Sequence, residues 1–247
     1  MDILVGNAVT RSMMSAIGRK AKRMEASKPS KSATTRRMKY LLLASAKGGS
    51  GKSTHALNLA VCASHSGLRT AVVDFDRQAT LSNSIGRRPA KAPAIDVYAV
   101  PIDQAAEGLA EIEAEDTADL VVLDTPPGVE DHPEAMQLLL SKADFVLVPT
   151  GAGTPDLDST IEWMGIVKRA GVQGAFVLNK TKRATKRTER AKTRLVKAGH
   201  LCPIDVRSLE DIESTHDAGV GVIEISGAKG SDDFDGVWAY VRLQLDI

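Results

Sequence analysis

Gly51, Lys52 and Ser53 stand within Ser45–Thr54, SAKGGSGKST, in the order that phosphate chemistry requires. A glycine without a Cβ lets the backbone close on an anion, the lysine after it reaches the outer phosphates, and the hydroxyl after that ligates Mg²⁺. Gly48, Gly49, Ser50 and Thr54 complete a run whose backbone N–H groups converge on one point. A helix that starts there adds partial positive charge. The full pattern is G-x-x-x-x-G-K-[ST], and the chain departs from it at the first position, where Ala46 replaces glycine and Lys47 follows. One lysine satisfies the pattern, so Lys47 is a surplus cation.

Acids fall where such a loop needs them. Asp74 and Asp76 close TAVVDFD, and Asp124 closes DLVVLDT and opens DTPPG. A carboxylate at the end of an apolar strand facing a phosphate loop is placed to hold Mg²⁺, directly or through water. The metal set expected is therefore Ser53, Asp74 and Asp124. Gly128, in the loop after Asp124, offers an unhindered N–H to a γ-phosphate.

The elements that must position these groups are legible as an alternation. YLLLASA, TAVVDFD, AIDVYAV, DLVVLDT, DFVLVPT and GAFVLNK read as strands, and STHALNLAVCASH, PIDQAAEGLAEIEA, PEAMQLLLSK and DLDSTIEWMGIVKRA as helices. Near-continuous apolar strands separated by helices imply an α/β, doubly wound, mostly parallel sheet with helices on both faces, its ligand at the C-terminal strand ends. The 247 residues are 43% hydrophobic and 26% charged, enough for one large domain. Cys62 and Cys202 lie in no metal-binding spacing.

The net charge of +1 hides an asymmetry. Met1–Lys39 carries ten Lys/Arg against Asp2 and Glu25. Residues 1–38 are expected to be a flexible basic arm and 39–247 the catalytic domain. With no long apolar run and no secretory core, a cytoplasmic location is expected. A second basic block, Lys180–Lys197, holds nine Lys/Arg and one acid, Glu189. On a helix Arg183, Arg187, Arg190, Arg194 and Lys197 form one stripe, with Lys186 beside it. No aromatic residue interleaves them, so contact with DNA phosphates, without base reading, is expected.

The chain resembles the ParA/MinD group of P-loop ATPases with a deviant Walker A motif. The resemblance rests on KGGSGKST, on DFDRQAT as the counterpart of the family's switch, on DTPPG as the Walker B segment, and on VLVPT and VLNK; it covers roughly Lys39 to the C-terminus. It implies that Lys47 reaches across a nucleotide-sandwich homodimer to the partner's ATP, much as an arginine finger acts in trans. It also implies that Lys52 binds the β/γ-phosphates, Ser53 ligates Mg²⁺, Thr54 lies near the α-phosphate, Asp76 orients the attacking water and Asn179 reads adenine. Lys47, Lys52 and Asp76 are thus the catalytic set. Arg77 stands where the family has a proline. The acidic, apolar end DDFDGVWAYVRLQLDI is unlike a basic membrane-binding helix, so no stable membrane association is expected. The function expected is an ATP- and Mg²⁺-dependent dimerising ATPase, nucleoid-associated through non-specific DNA, that positions a cargo with a ParB-like adaptor. A small-molecule ligase of the same superfamily and a MinD-like membrane ATPase are the alternatives.

Overall fold

Seven parallel strands build the sheet in the order β3-β2-β4-β1-β5-β6-β7 in a computed structural model that describes residues 37–182 and 185–247. They are β1 Lys39–Leu43, β2 Thr70–Asp74, β3 Asp96–Ala99, β4 Leu120–Asp124, β5 Phe145–Thr150, β6 Gly174–Leu178 and β7 His200–Leu201. The helices are α1 Lys52–His65, α2 Thr80–Gly86, α3 Ala105–Glu115, α4 Pro133–Lys142, α5 Thr154–Arg169, α6 Lys186–Ala198, α7 Glu210–Glu213, α8 Thr215–Ala218 and α9 Ser231–Leu245. The six strands expected from sequence are present, most shortened at one or both ends and β1 starting one residue earlier, and β7 is an addition.

Every residue of β2, β4, β5 and β6 is buried. Alternate side chains of a strand point to opposite faces, so these strands feed two cores. Leu42, Val73, Val121, Leu123, Val146, Val148, Phe176 and Leu178 pack with Leu109, Leu139, Trp163 and Leu195 of α3–α6. Leu41, Leu43, Val72, Val122, Leu147 and Val177 pack on the other face with Leu57, Val61, Phe234 and Val241 of α1 and α9. This two-sided burial makes the strands continuously apolar, which is why they could be read from sequence.

Strand order reverses at β1, which pairs with β4 on one side and β5 on the other. A crevice opens above such a reversal, and the loop after β1 occupies it. Register sets the acids beside it: Asp124 pairs with Leu43 of β1 and with Asp74 of β2.

Met38 is buried in the core, and Arg37 pairs with Asp144 at 3.7 Å. The basic arm before Arg37, and Arg183 of the basic stripe, lie outside the described residues.

Candidate phosphate-binding site

The loop from β1 to α1 takes its shape from two left-handed glycines, Gly49 at φ 72° and Gly51 at φ 100°. Alternation of backbone hand turns successive N–H groups inward, making the concave anion nest expected of SAKGGSGKST. At Gly51 glycine is required twice over, because a Cβ there would also lie 2.0 Å from Asn179 Nδ2. Asn179, at the end of β6, donates that amide to Ser50 O at 2.7 Å. His55, fully buried on the first turn of α1, has Nδ1 2.9 Å from Gly51 O and its ring edge-on to Phe234. Burial lowers its pKa to about 4, so the loop is backed by a neutral ring.

Lys52 is buried with its ammonium pointing back into the loop, 3.3 Å from Lys47 O. Burial lowers its pKa, and Asp124, Asp76 and Glu130 oppose that shift. A cation held in a concave cradle beside three acids is matched to a phosphate with its counter-ion.

Asp124 is fully buried, and neither carboxylate oxygen has a hydrogen-bond partner. Burial raises its pKa to about 7; the adjacent Ser53 hydroxyl and Lys52 pull the other way, and Asp74 and Asp76 add to the rise. An orphaned buried carboxylate is costly unless something binds it, and a divalent cation is the partner it fits. Among the described residues no group of three His, Cys, Asp or Glu side chains forms a metal site. The donor set is instead one carboxylate and one hydroxyl, which suits Mg²⁺ that takes its remaining ligands from phosphate and water.

Asp74 also has backbone partners that the sequence does not show. Its Oδ1 accepts from Asp76 N at 3.1 Å and its Oδ2 from Ser82 N at 2.8 Å. Each oxygen thus holds one backbone N–H, so Asp74 ties the switch to α2 and keeps a lone pair on each oxygen for the water-mediated metal contact expected of it. Asp76 lies half-buried beyond it, its Oδ1 accepting from Gln78 N at 2.9 Å, and Ala79 N closes the turn on Asp76 O at 2.8 Å. That closed turn supplies rigidity without the family proline, and Arg77 at its tip is exposed. Gly128 adopts φ 73° at the start of the turn after β4, a conformation that favours glycine.

Lys47 leaves the cradle. Its Nζ donates to Pro155 O at 2.7 Å and lies 3.4 Å from Asp156 Oδ1, with its side chain 42% exposed. Both partners belong to the first turn of α5 in the same chain. A cleft of about 430 Å³ opens between the phosphate loop, the β5–α5 loop and the start of α6, lined by Lys47, Ser50, Gly151, Asp156, Asn179, Lys180 and Arg187 among others.

The sequence profile of the CobQ/CobB/MinD/ParA nucleotide binding domain matches residues 41–225, well over half of the chain. The chain belongs to this family. It is 30% identical over 112 residues to the sporulation initiation inhibitor protein Soj of Bacillus subtilis, a match over 45% of this chain and 39% of that protein. The chain therefore spans about two fifths of that relative's length. Among solved structures it is similar to the septum site-determining protein MinD of Pyrococcus horikoshii OT3 complexed with Mg-ADP. That match has a TM-score of 0.70 and 19% identity over 85% of this chain and 100% of the other. It is also similar to a variant of Cyanothece McdA in complex with ATP, at a TM-score of 0.69 and 19% identity over 85% and 97% of the two chains. At these identities the likeness is one of fold, and the fold is that of the ParA/MinD group.

The basic stripe is shorter than its sequence periodicity suggests. Thr185 caps α6, accepting from Thr188 N at 3.1 Å, so the helix starts at Lys186 and not at Lys180. Arg187 turns toward the cleft and donates to Ala152 O at 3.1 Å, and Arg194 pairs with Asp158 at 2.6 Å. Both residues flank the buried face of Thr188, Ala191 and Leu195 and hold these exposed contacts within the chain. Lys186, Arg190 and Lys197 remain exposed and unpaired among the described residues. Asn179, expected to contact adenine, donates one amide hydrogen to the phosphate loop at Ser50 O. Asp156 and the glycine-flanked loop Gly151–Gly153 went unnoticed in the sequence; their signal is position, since a loop after β5 must border the crevice.

Proposed function

We propose that the chain is an ATPase that dimerises on ATP, binds DNA phosphates through α6 without reading sequence, and uses hydrolysis to position or partition a cargo. The observation that carries this reading is the division of labour between two lysines of one loop. Lys52 is buried in the cradle, whereas Lys47 stands half-exposed at the cleft mouth, held only by Pro155 and Asp156. A cation that its own phosphate site does not use is available to a second copy's site once ATP outcompetes Asp156 for it.

The orphaned Asp124 and adjacent Ser53 would hold Mg²⁺, which when bound neutralises charge on the phosphates. MinD complexed with Mg-ADP and McdA complexed with ATP support this choice of ligand. Asp76, free of the cradle but anchored by its own turn, aligns water. The dimer presents Lys186, Arg190 and Lys197 twice, about six phosphate contacts. Two weak patches joined in one body bind as a unit, so ATP switches DNA affinity through effective concentration alone. Release follows hydrolysis, and a ParB-like adaptor sets its timing; the location that follows is the nucleoid.

Binding to one DNA fragment across a salt series, with ATP and with ADP, tests the reading. With ATP the slope of log K against log salt is expected to be about −5, and with ADP about half of that. Equal slopes in the two nucleotide states would contradict the switch. Turnover that ignores DNA and requires a metabolite would favour the ligase alternative.

A further inference from the structure

His216, on α8, is a half-buried histidine that touches the phosphate loop from outside it. Its Nε2 lies 3.3 Å from Thr54 Oγ1, and its Nδ1 lies 2.9 Å from Ser84 Oγ. Thr54 is the hydroxyl that follows Ser53 at the start of α1. Ser84 belongs to α2, the helix that follows the Asp76 turn. The ring thus bridges the nucleotide cradle to the element carrying the switch.

The ring itself is fixed. Arg87, at the end of α2, donates to His216 O at 2.8 Å, to Asp217 O at 3.0 Å and to Ser84 Oγ at 3.4 Å, and Arg88 donates to Gly219 O at 3.2 Å. Gly219, at φ +65°, packs so closely that a Cβ would fall 2.2 Å from Ser84 O. These contacts fasten α8 to α2, and the ring's own contacts to Thr54 and Ser84 hold it between the two.

The arrangement of the ring's protons turns on the available donors. The Ser84 hydroxyl has one proton, and Thr80 O, 2.9 Å away, can only accept it. With the Ser84 proton on Thr80 O, Ser84 Oγ accepts from Nδ1–H, which leaves Nε2 with a lone pair that takes the Thr54 hydroxyl proton; this is the arrangement assigned to the nucleotide-free chain. In this state the Thr54 proton points at the ring and away from the cradle. A phosphate oxygen also only accepts, so a nucleotide that touches Thr54 needs that same proton.

We propose that nucleotide binding switches His216 from its Nδ1–H to its Nε2–H tautomer, and that this reports occupancy of the phosphate site to α2. The proposal rests on the nucleotide-binding reading above. The Thr54 O–H turns from Nε2 to the phosphate. One proton leaves Nδ1 for solvent and one arrives at Nε2, which then donates to Thr54 Oγ1. The Ser84 O–H turns from Thr80 O to Nδ1, so the proton count is unchanged and Thr80, the first residue of α2, loses a side-chain bond. Burial and the neighbouring Arg87 keep the ring below its ordinary pKa against the pull of Asp217, so it exchanges tautomers and does not become imidazolium.

The test is long-range ¹H–¹⁵N spectroscopy of the full chain labelled at its five histidines, with His216 assigned by its contacts to Thr54 and Ser84 protons. Titration calorimetry of the same sample follows Mg-ADP binding. Without nucleotide the Nδ1–H pattern is expected, and at saturation the Nε2–H pattern. Binding with an unchanged or doubly protonated ring would overturn the relay alone; absence of binding would overturn the nucleotide reading with it. Ser84→Ala removes the acceptor that enforces Nδ1–H, so it should show Nε2–H without nucleotide and bind ADP about threefold tighter. An unaltered ring and affinity in that variant would also refute the relay.

Discussion

Replacing Asp124 by asparagine should stabilise the nucleotide-free protein, and the gain should depend on pH in a defined way. Below about pH 3.8 the carboxyl is protonated in folded and unfolded chains alike and contributes nothing. As pH rises from there to about 7, the unfolded chain gives up the proton while the folded chain keeps it, so stability falls. Above about 7 the full penalty stands. The interval from 3.8 to about 7 corresponds to about 4 kcal/mol. The group is fully buried, so solvent screening does not reduce this. The asparagine would stay neutral throughout, and in a domain of this size the difference amounts to a rise in Tm of about 10 °C at about pH 8. Thermal melts of both proteins from about pH 4 to about pH 8, with EDTA and without nucleotide, should show the two Tm values diverging as pH rises. Mg-ADP should then raise the Tm of the unsubstituted protein more than that of the variant, because a divalent cation favours the charged group that the substitution removes. A Tm difference independent of pH, or a variant less stable than the unsubstituted protein in mild alkali, would refute the reasoning that burial penalises the Asp124 charge more than Ser53 and Lys52 offset it.

Gly51→Ala should lose nucleotide binding and destabilise the fold by about 2 kcal/mol or more, since the new Cβ meets Asn179 Nδ2 at 2.0 Å in a left-handed backbone; calorimetric titration and a melt read both effects. Asp76→Ala should bind ATP and DNA with little change yet turn over roughly a hundredfold more slowly, because only the alignment of water is removed; a phosphate-release assay showing ordinary turnover would move that role elsewhere. Changing Lys186, Arg190 and Lys197 together to alanine should flatten the salt dependence of DNA binding while leaving ATP-driven dimerisation intact. Changing Arg194 alone should alter DNA binding little, as its guanidinium is already paired with Asp158.

Much of the fold was legible because its strands are buried on both faces. Runs such as LVVLD and FVLVPT admit no other placement once helices alternate with them. The cradle was legible because its glycines are dictated by backbone hand, a local requirement that spacing alone reveals. What stayed hidden depends on tertiary neighbours. Asp74 reads as a strand-end acid, and only the fold shows that Ser82 N and Asp76 N donate to its oxygens. Arg187 and Arg194 fall on the stripe by periodicity, but periodicity gives an angle about the helix axis and not what faces each flank. The two-residue β7 and the four-residue α7 and α8 are too short to show a period at all. His216 is of this kind: its partners Ser84 and Thr54 lie 132 and 162 residues away in the chain.

Whether Lys47 leaves Asp156 to complete a second copy's nucleotide site can be read by sedimentation velocity. The protein and its Lys47→Ala variant would be run with Mg-ATP and with Mg-ADP, with nucleotide occupancy confirmed in the same samples. The unsubstituted protein is expected to be a dimer with ATP only, and the variant to bind both nucleotides yet remain monomeric in each. A Lys47→Ala protein that still dimerises with ATP would contradict this role for Lys47.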